Sequence, residues 1–68
     1  MKLGNHIRRC RFEQGEMTQQ ELADRVGVTR QTIFSVEKGK FVPSALLALK
    51  IAATFNKSFE EVFYIIKD

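Results

Sequence analysis

A chain of 68 residues, 44% hydrophobic and 28% charged, holds enough apolar side chains for one small folded core and is not composed like a disordered segment. A single Cys and a single His exclude an internal disulfide and a Cys/His metal centre, so neither metal nor cofactor is expected. The net charge of +3 is spread unevenly: six bases between Arg25 and Lys57 face one acid, Glu37, a distribution that suits contact with a polyanion.

In chain order, Met1 to Gly4 is too short to stand as a helix and either frays or forms a short strand. Asn5 is placed to cap a first helix running to about Gln14 and ended by Gly15, with Ile7, Cys10 and Gln14 on its inner face. Cys10 reads there as a small core hydrophobe rather than a reactive thiol. His6 has no acid or Cys near it in sequence and is expected in solvent. Arg11 is either a solvated base or the partner of Glu37, and the pair is the better reading. A lone exposed acid at the end of a basic helix would weaken binding to an anion, whereas a bidentate pair would lock the first helix to the third.

The stretch Thr18 to Gly39 carries the clearest signals. Thr18 and Glu21 have capping-box spacing, and Met17 and Leu22 are spaced as a hydrophobic staple. Gly27 suits a left-handed turn. Thr29 then caps a second helix with Val28 and Ile33 as its staple, but Thr32 stands where a box would need Glu. The first turn of that helix, Arg30 to Thr32, holds no acid, so its positive dipole end stays open to a phosphate. Leu22, Ala23 and Val26 face Ile33 and Val36, leaving Gln19, Gln20, Arg30, Gln31 and Ser35 outward. Two short capped helices around a glycine turn form the helix-turn-helix arrangement, whose second helix enters a DNA major groove.

Pro43 holds Val42 extended and precedes Ser44, which caps a fourth helix from Ala45 to about Phe55. That helix is apolar nearly all round and is expected to be central and buried on several sides. Asn56 closes it in the left-handed conformation, and Ser58 with Glu61 opens a short fifth helix through about Phe63. Tyr64, Ile65 and Ile66 are left either to pair as a strand with Met1 to Leu3 or to cover a partner subunit. The fold class expected is all-α, five short helices in one domain spanning 1–68, with 18–39 as the helix-turn-helix unit. The chain shows no signal peptide and no apolar run of membrane-crossing length, so its expected address is the cytoplasm. No paired-carboxylate site, nucleophile–base pair or phosphate-cradling glycine loop points to an enzyme.

With these residues in place, the segments MTQQELADRVGVTRQTI, SVEKGKFVPS, ALKIAATF and KSFEEVF, which cover almost the whole chain, resemble the Xre/Cro/C1 family of phage-repressor-type helix-turn-helix domains. The resemblance implies a five-helix lambda-repressor-like DNA-binding domain, dimeric on an operator of two half-sites and acting as a transcriptional repressor. By position, Arg30, Gln31 and Ser35 fall where the family reads base edges, and Gln19 where its second helix begins on a phosphate. Thr29, Thr32, Lys38 and Lys40 match its backbone-contacting positions, and Arg11 with Glu37 matches a structural pair of the family. The same resemblance suggests a stand-alone regulator without a ligand domain. It covers antitoxins and restriction-controller proteins too, which share this chemistry and differ in partner. A protein-interaction module that has lost DNA is the reading from another class, and Arg30, Lys38 and Lys40 count against it.

Three features depart from the family pattern. The loop Gly15-Glu16-Met17 is one residue longer than the usual form. Phe34 stands on the recognition helix where a small or polar residue is commoner, either to touch a thymine methyl or the DNA backbone or to pack on the loop from Lys40 to Val42. Leu46 replaces an acid and, with the tail Phe63, Tyr64, Ile65 and Ile66, is a candidate for a homodimer contact.

Overall fold

A computed structural model describes residues 1–67. The order of elements is β1 (Lys2–Asn5), α1 (Ile7–Glu13), α2 (Gln19–Val26), α3 (Arg30–Glu37), α4 (Ala45–Thr54), α5 (Phe59–Val62) and β2 (Phe63–Ile66). β1 and β2 pair antiparallel, with Lys2 opposite Ile66 and Asn5 opposite Phe63. Of the two expectations for Tyr64 to Ile66, strand pairing is the one observed. Gly4 leaves room for the Tyr64 ring to lie across β1, since a Cβ there would run into that ring.

The helix starts follow their hydroxyl caps. Glu21 N–H donates to Thr18 Oγ1 at 3.0 Å while Thr18 N–H donates to Glu21 Oε1 at 2.9 Å, a complete capping box. Thr29 Oγ1 accepts from Thr32 N–H at 3.2 Å and Ser44 Oγ from Leu47 N–H at 3.1 Å. Between α2 and α3, Gly27 is left-handed at φ +77°, and its N–H and that of Val28 both donate to the Ala23 carbonyl at 2.9 and 3.0 Å. The left-handed glycine thus brings both N–H groups onto the Ala23 carbonyl and turns the chain into α3 within two residues.

α2 packs on both α3 and α4, and α4 packs on α5. Ile7, Leu22, Ile33, Ile51 and Val62, one from each helix, are fully enclosed at the centre. Each stabilises the fold by roughly 1.5 to 3 kcal/mol relative to exposure. Ala23 is also fully buried, and its small side chain lets α2 approach its neighbours closely.

Four local expectations change. α1 stops at Glu13, so Gln14 is its C-cap and is exposed rather than on the inner face. Asn5 lies one residue before the cap position, which His6 occupies; its Oδ1 still accepts from Ile7 N–H at 3.1 Å, and its Nδ2 donates to the Val36 carbonyl at 3.1 Å. α5 ends at Val62 because the aromatic and β-branched run from Phe63 is taken up by β2. α4 is not enclosed on several sides. It buries Ala48, Ile51 and Ala52 but leaves Leu46 64% and Leu49 55% exposed.

Candidate nucleic-acid interface

The outer side of α3 is built from the residues its caps and core face leave over. Ile33 and Val36 point inward, which turns Arg30 and Gln31 into solvent and leaves Ser35 half-buried. No acid lies in the first turn, so only the Thr29 hydroxyl offsets the positive end of the helix. The hydroxyls of Thr29 and Thr32 lie 3.1 Å apart, forming a small polar ledge at that end. At the other end, Gly39 is left-handed, and the N–H groups of Lys40 and Phe41 both donate to the Ser35 carbonyl, at 2.9 and 3.3 Å. Lys40 is thereby held in the turn that leaves α3, with its side chain exposed.

Glu37 is the junction of three helices. Arg11 Nε donates to its Oε2 at 2.8 Å and Arg11 Nη2 to its Oε1 at 3.1 Å, the bidentate geometry that fixes a guanidinium best. The remaining Nη1 donates to the Met17 carbonyl at 2.8 Å. Gln19 Nε2 donates to Glu37 Oε1 at 3.3 Å, so the amide at the start of α2 is turned onto the end of α3. The two ion-pair side chains are only 14% and 9% exposed. The single acid of the basic half is thus neutralised from inside the fold.

Beside this junction an open groove of about 910 Å³ runs between α3 and α1. Arg30, Phe34 and Lys38 form its α3 wall; Arg8, Arg9 and Phe12 belong to its α1 wall, with Arg11, Glu37 and Gln19 also in the lining. Phe34 is 38% exposed, and the Lys38 ammonium lies 5.7 Å from its ring centroid, within cation–π range. Gln31, Ser35, Thr29, Thr32 and Lys40 lie outside the groove lining. The residues singled out from the sequence therefore fall into two sets, one on the exposed face and ends of α3 and one along its flank.

Sequence reasoning missed Arg8, Arg9 and Phe12. The available signal was spacing, since Arg8, Arg11 and Phe12 are three and four residues apart and share one side of α1. It also left His6 in solvent, whereas the imidazole is half-buried against Tyr64 with ring centroids 4.7 Å apart. Cys10 is buried beneath α1, and that burial pushes its thiol pKa up, away from the reactive thiolate. Among the described residues no group of three or more His, Cys, Asp or Glu could hold a metal ion, and no helix is long and apolar enough to cross a membrane.

The helix-turn-helix family profile matches residues 7–62, from the first residue of α1 to the last of α5. The chain belongs to the Xre/Cro/C1-type helix-turn-helix family. Its relatives include an uncharacterized HTH-type transcriptional regulator of Bacillus subtilis, 46% identical over 61 residues that span 90% of this chain and 91% of the relative. A second, from Methanothermobacter thermautotrophicus and named in the same way, is 49% identical over 63 residues, 91% of this chain and 90% of the other. A third, from Archaeoglobus fulgidus, is 54% identical over 57 residues, 84% and 80% of the two chains. Family membership places the protein among DNA-binding transcription regulators, with α2 and α3 as its helix-turn-helix.

Proposed function

We propose that this single domain represses transcription by binding, as a homodimer, an operator made of two inverted half-sites, with α3 in the major groove of each. The observation that carries the reading is the outer side of α3, where Arg30 and Gln31 stand in solvent beyond an acid-free first turn while the only nearby acid, Glu37, is paired inward. Gln31 offers an adenine two hydrogen bonds and Arg30 offers the same to a guanine, each worth about 1 to 3 kcal/mol of discrimination. Ser35 reads alongside them, and Phe34 borders the base-reading face. Thr29, Thr32, Gln19, Lys38 and Lys40 hold phosphates, which sets register and makes affinity depend on salt. Gln19 keeps two amide N–H groups, so one serves Glu37 and the other a phosphate.

One domain of this size covers too little DNA for tight operator binding, which argues for two copies. Their contact uses the exposed apolar residues Tyr64, Ile65 and Ile66 of β2 with Leu46 of α4. Phe63 does not take part, because at 2% exposure it belongs to the subunit's own core. The working compartment is the one that holds the DNA, the cytoplasm. Selection of bound duplexes from a random pool tests the whole proposal. An inverted repeat with half-sites about 34 Å apart is the expected product. Recovery of unrelated sequences with no common half-site would remove the base-reading role.

A further inference from the structure

We infer that the groove between α1 and α3 seats one sugar–phosphate strand of the bound duplex, with Arg8 and Arg9 supplying the phosphate contacts of its outer wall. The inference rests on the proposed entry of α3 into a major groove and adds to it a second, α1-borne phosphate surface.

The geometry of a helix in DNA requires such a place. The major groove is about 12 Å wide and a helix with its side chains about 10 Å across, so a backbone strand runs close along each flank of the helix. Of the residues proposed to hold phosphates, Thr29, Thr32 and Lys40 lie outside the groove shared with α1, whereas Gln19 and Lys38 line it. The flank bordered by Arg30, Phe34 and Lys38 is where the other strand must pass, and there the structure opens a channel whose far wall is α1.

The charges in that channel are arranged for an external anion. Of the bases lining it, Arg11 is taken up by Glu37. Arg8, Arg9 and Arg30 form no ion pair and no side-chain hydrogen bond among the described residues, and Lys38 only overlies the Phe34 ring. Four unneutralised cations around one groove repel each other, and a polyanion laid between them removes that repulsion. The four cations stand along both walls of the groove, more than a single phosphate can meet, whereas a strand brings successive phosphates past them with sugars between. Phe12, 68% exposed, and Phe34 give the walls two apolar surfaces, which suit the faces of deoxyribose rings between the phosphates. This also gives Phe34 a role that base reading alone does not.

The test is the salt dependence of binding by the intact chain and by the double variant Arg8→Ala/Arg9→Ala, on a selected operator and on a scrambled duplex. Losing two phosphate contacts makes the slope of log K against log salt less steep by about 1.8 on both duplexes, so a fourfold rise in salt costs the variant about tenfold less affinity than the parent. The ratio of operator to scrambled affinity stays the same, and Arg8→Lys/Arg9→Lys restores the parental slope. An unchanged slope in a folded alanine variant overturns the inference. A parent chain that binds neither duplex overturns the DNA-binding reading itself, and the groove assignment with it. Independently of any variant, ethylation of phosphates on the parent's operator must block binding on both strands flanking each half-site; interference confined to one strand overturns the inference.

Discussion

α3 and α4 are close in length, each starts on a hydroxyl cap, and each buries one face in the same core, yet they leave opposite chemistries in water. α3 shows Arg30 and Gln31, with Phe34 half-screened by the Lys38 ammonium. α4 shows Leu46 and Leu49, three residues apart on one side of the helix, with Lys50 beside them. Core packing requires neither outer face to be what it is. An outer face freed from the core is shaped by what it meets, and the contrast is the one the proposed function expects, with α3 against DNA and the exposed side of α4 against a second copy.

The largest effect that can break this contrast lies at the seat of α3. Replacing Arg11 by Ala leaves the nearly buried Glu37 carboxylate without its countercharge and frees the Met17 carbonyl, so a loss of about 3 kcal/mol in unfolding free energy is expected from denaturant titration. A loss below about 1 kcal/mol would show that α3 does not depend on that pair for its position. Next in size, Gln31→Ala and Arg30→Ala should each weaken operator binding by about 1 to 3 kcal/mol while leaving scrambled-duplex binding nearly unchanged for Gln31. Equal losses on both duplexes would make α3 a phosphate-binding helix only. Lys40→Ala should weaken binding to both duplexes alike and reduce the salt slope by about one; an unreduced slope removes Lys40 from the phosphate contacts.

On the α4 side, Leu46→Lys with Leu49→Lys should change folding stability by no more than about 0.5 kcal/mol per site, since both side chains are already largely in water. Sedimentation should nonetheless show weaker self-association. Undiminished self-association would leave the contact to Tyr64, Ile65 and Ile66 and end the assignment of α4. The smallest effect concerns the caps. Glu21 is held below its ordinary pKa by the backbone and hydroxyl of Thr18, and Glu61 likewise by Ser58. A carboxyl with a depressed folded pKa contributes stability that is fully present above its unfolded value and is lost as the pH falls through the folded one. Melting temperature should therefore decline as the pH drops below the ordinary Glu range, and Thr18→Ala should flatten part of that decline. An identical acid profile in the variant would show that the Thr18 cap is not its source.

What could be read from the sequence follows from how local each signal is. Thr18 with Glu21, Thr29 and Ser44 announce their helices because a cap acts over three residues, and Gly27 announces its turn because no other side chain enters the left-handed region so freely. Glu37 was legible as a paired acid from its isolation among bases. The exposure of Leu46 and Leu49 was not legible, because hydropathy records that a residue avoids water and not whether this chain or another molecule shields it. Arg8 and Arg9 were missed for a related reason: their meaning comes from α3 lying across a groove from them, a juxtaposition that depends on Ile7 and Cys10 of α1 joining Ile33 and Val36 of α3 in one core. Phe63 changed sides because two strands distant in sequence found each other, and no window of a few residues contains both.

The Glu37 carboxylate receives a guanidinium from α1 and an amide from α2 while riding on α3 itself. In mechanical terms it is a pivot pinned from two directions. α3 cannot roll or slide relative to the start of α2 without stretching at least one of these bonds. An error in the angle of α3 would thus be felt at Gln19, the residue proposed to grip a phosphate, so a misaligned half-site would be penalised twice, once at the bases and once at the backbone.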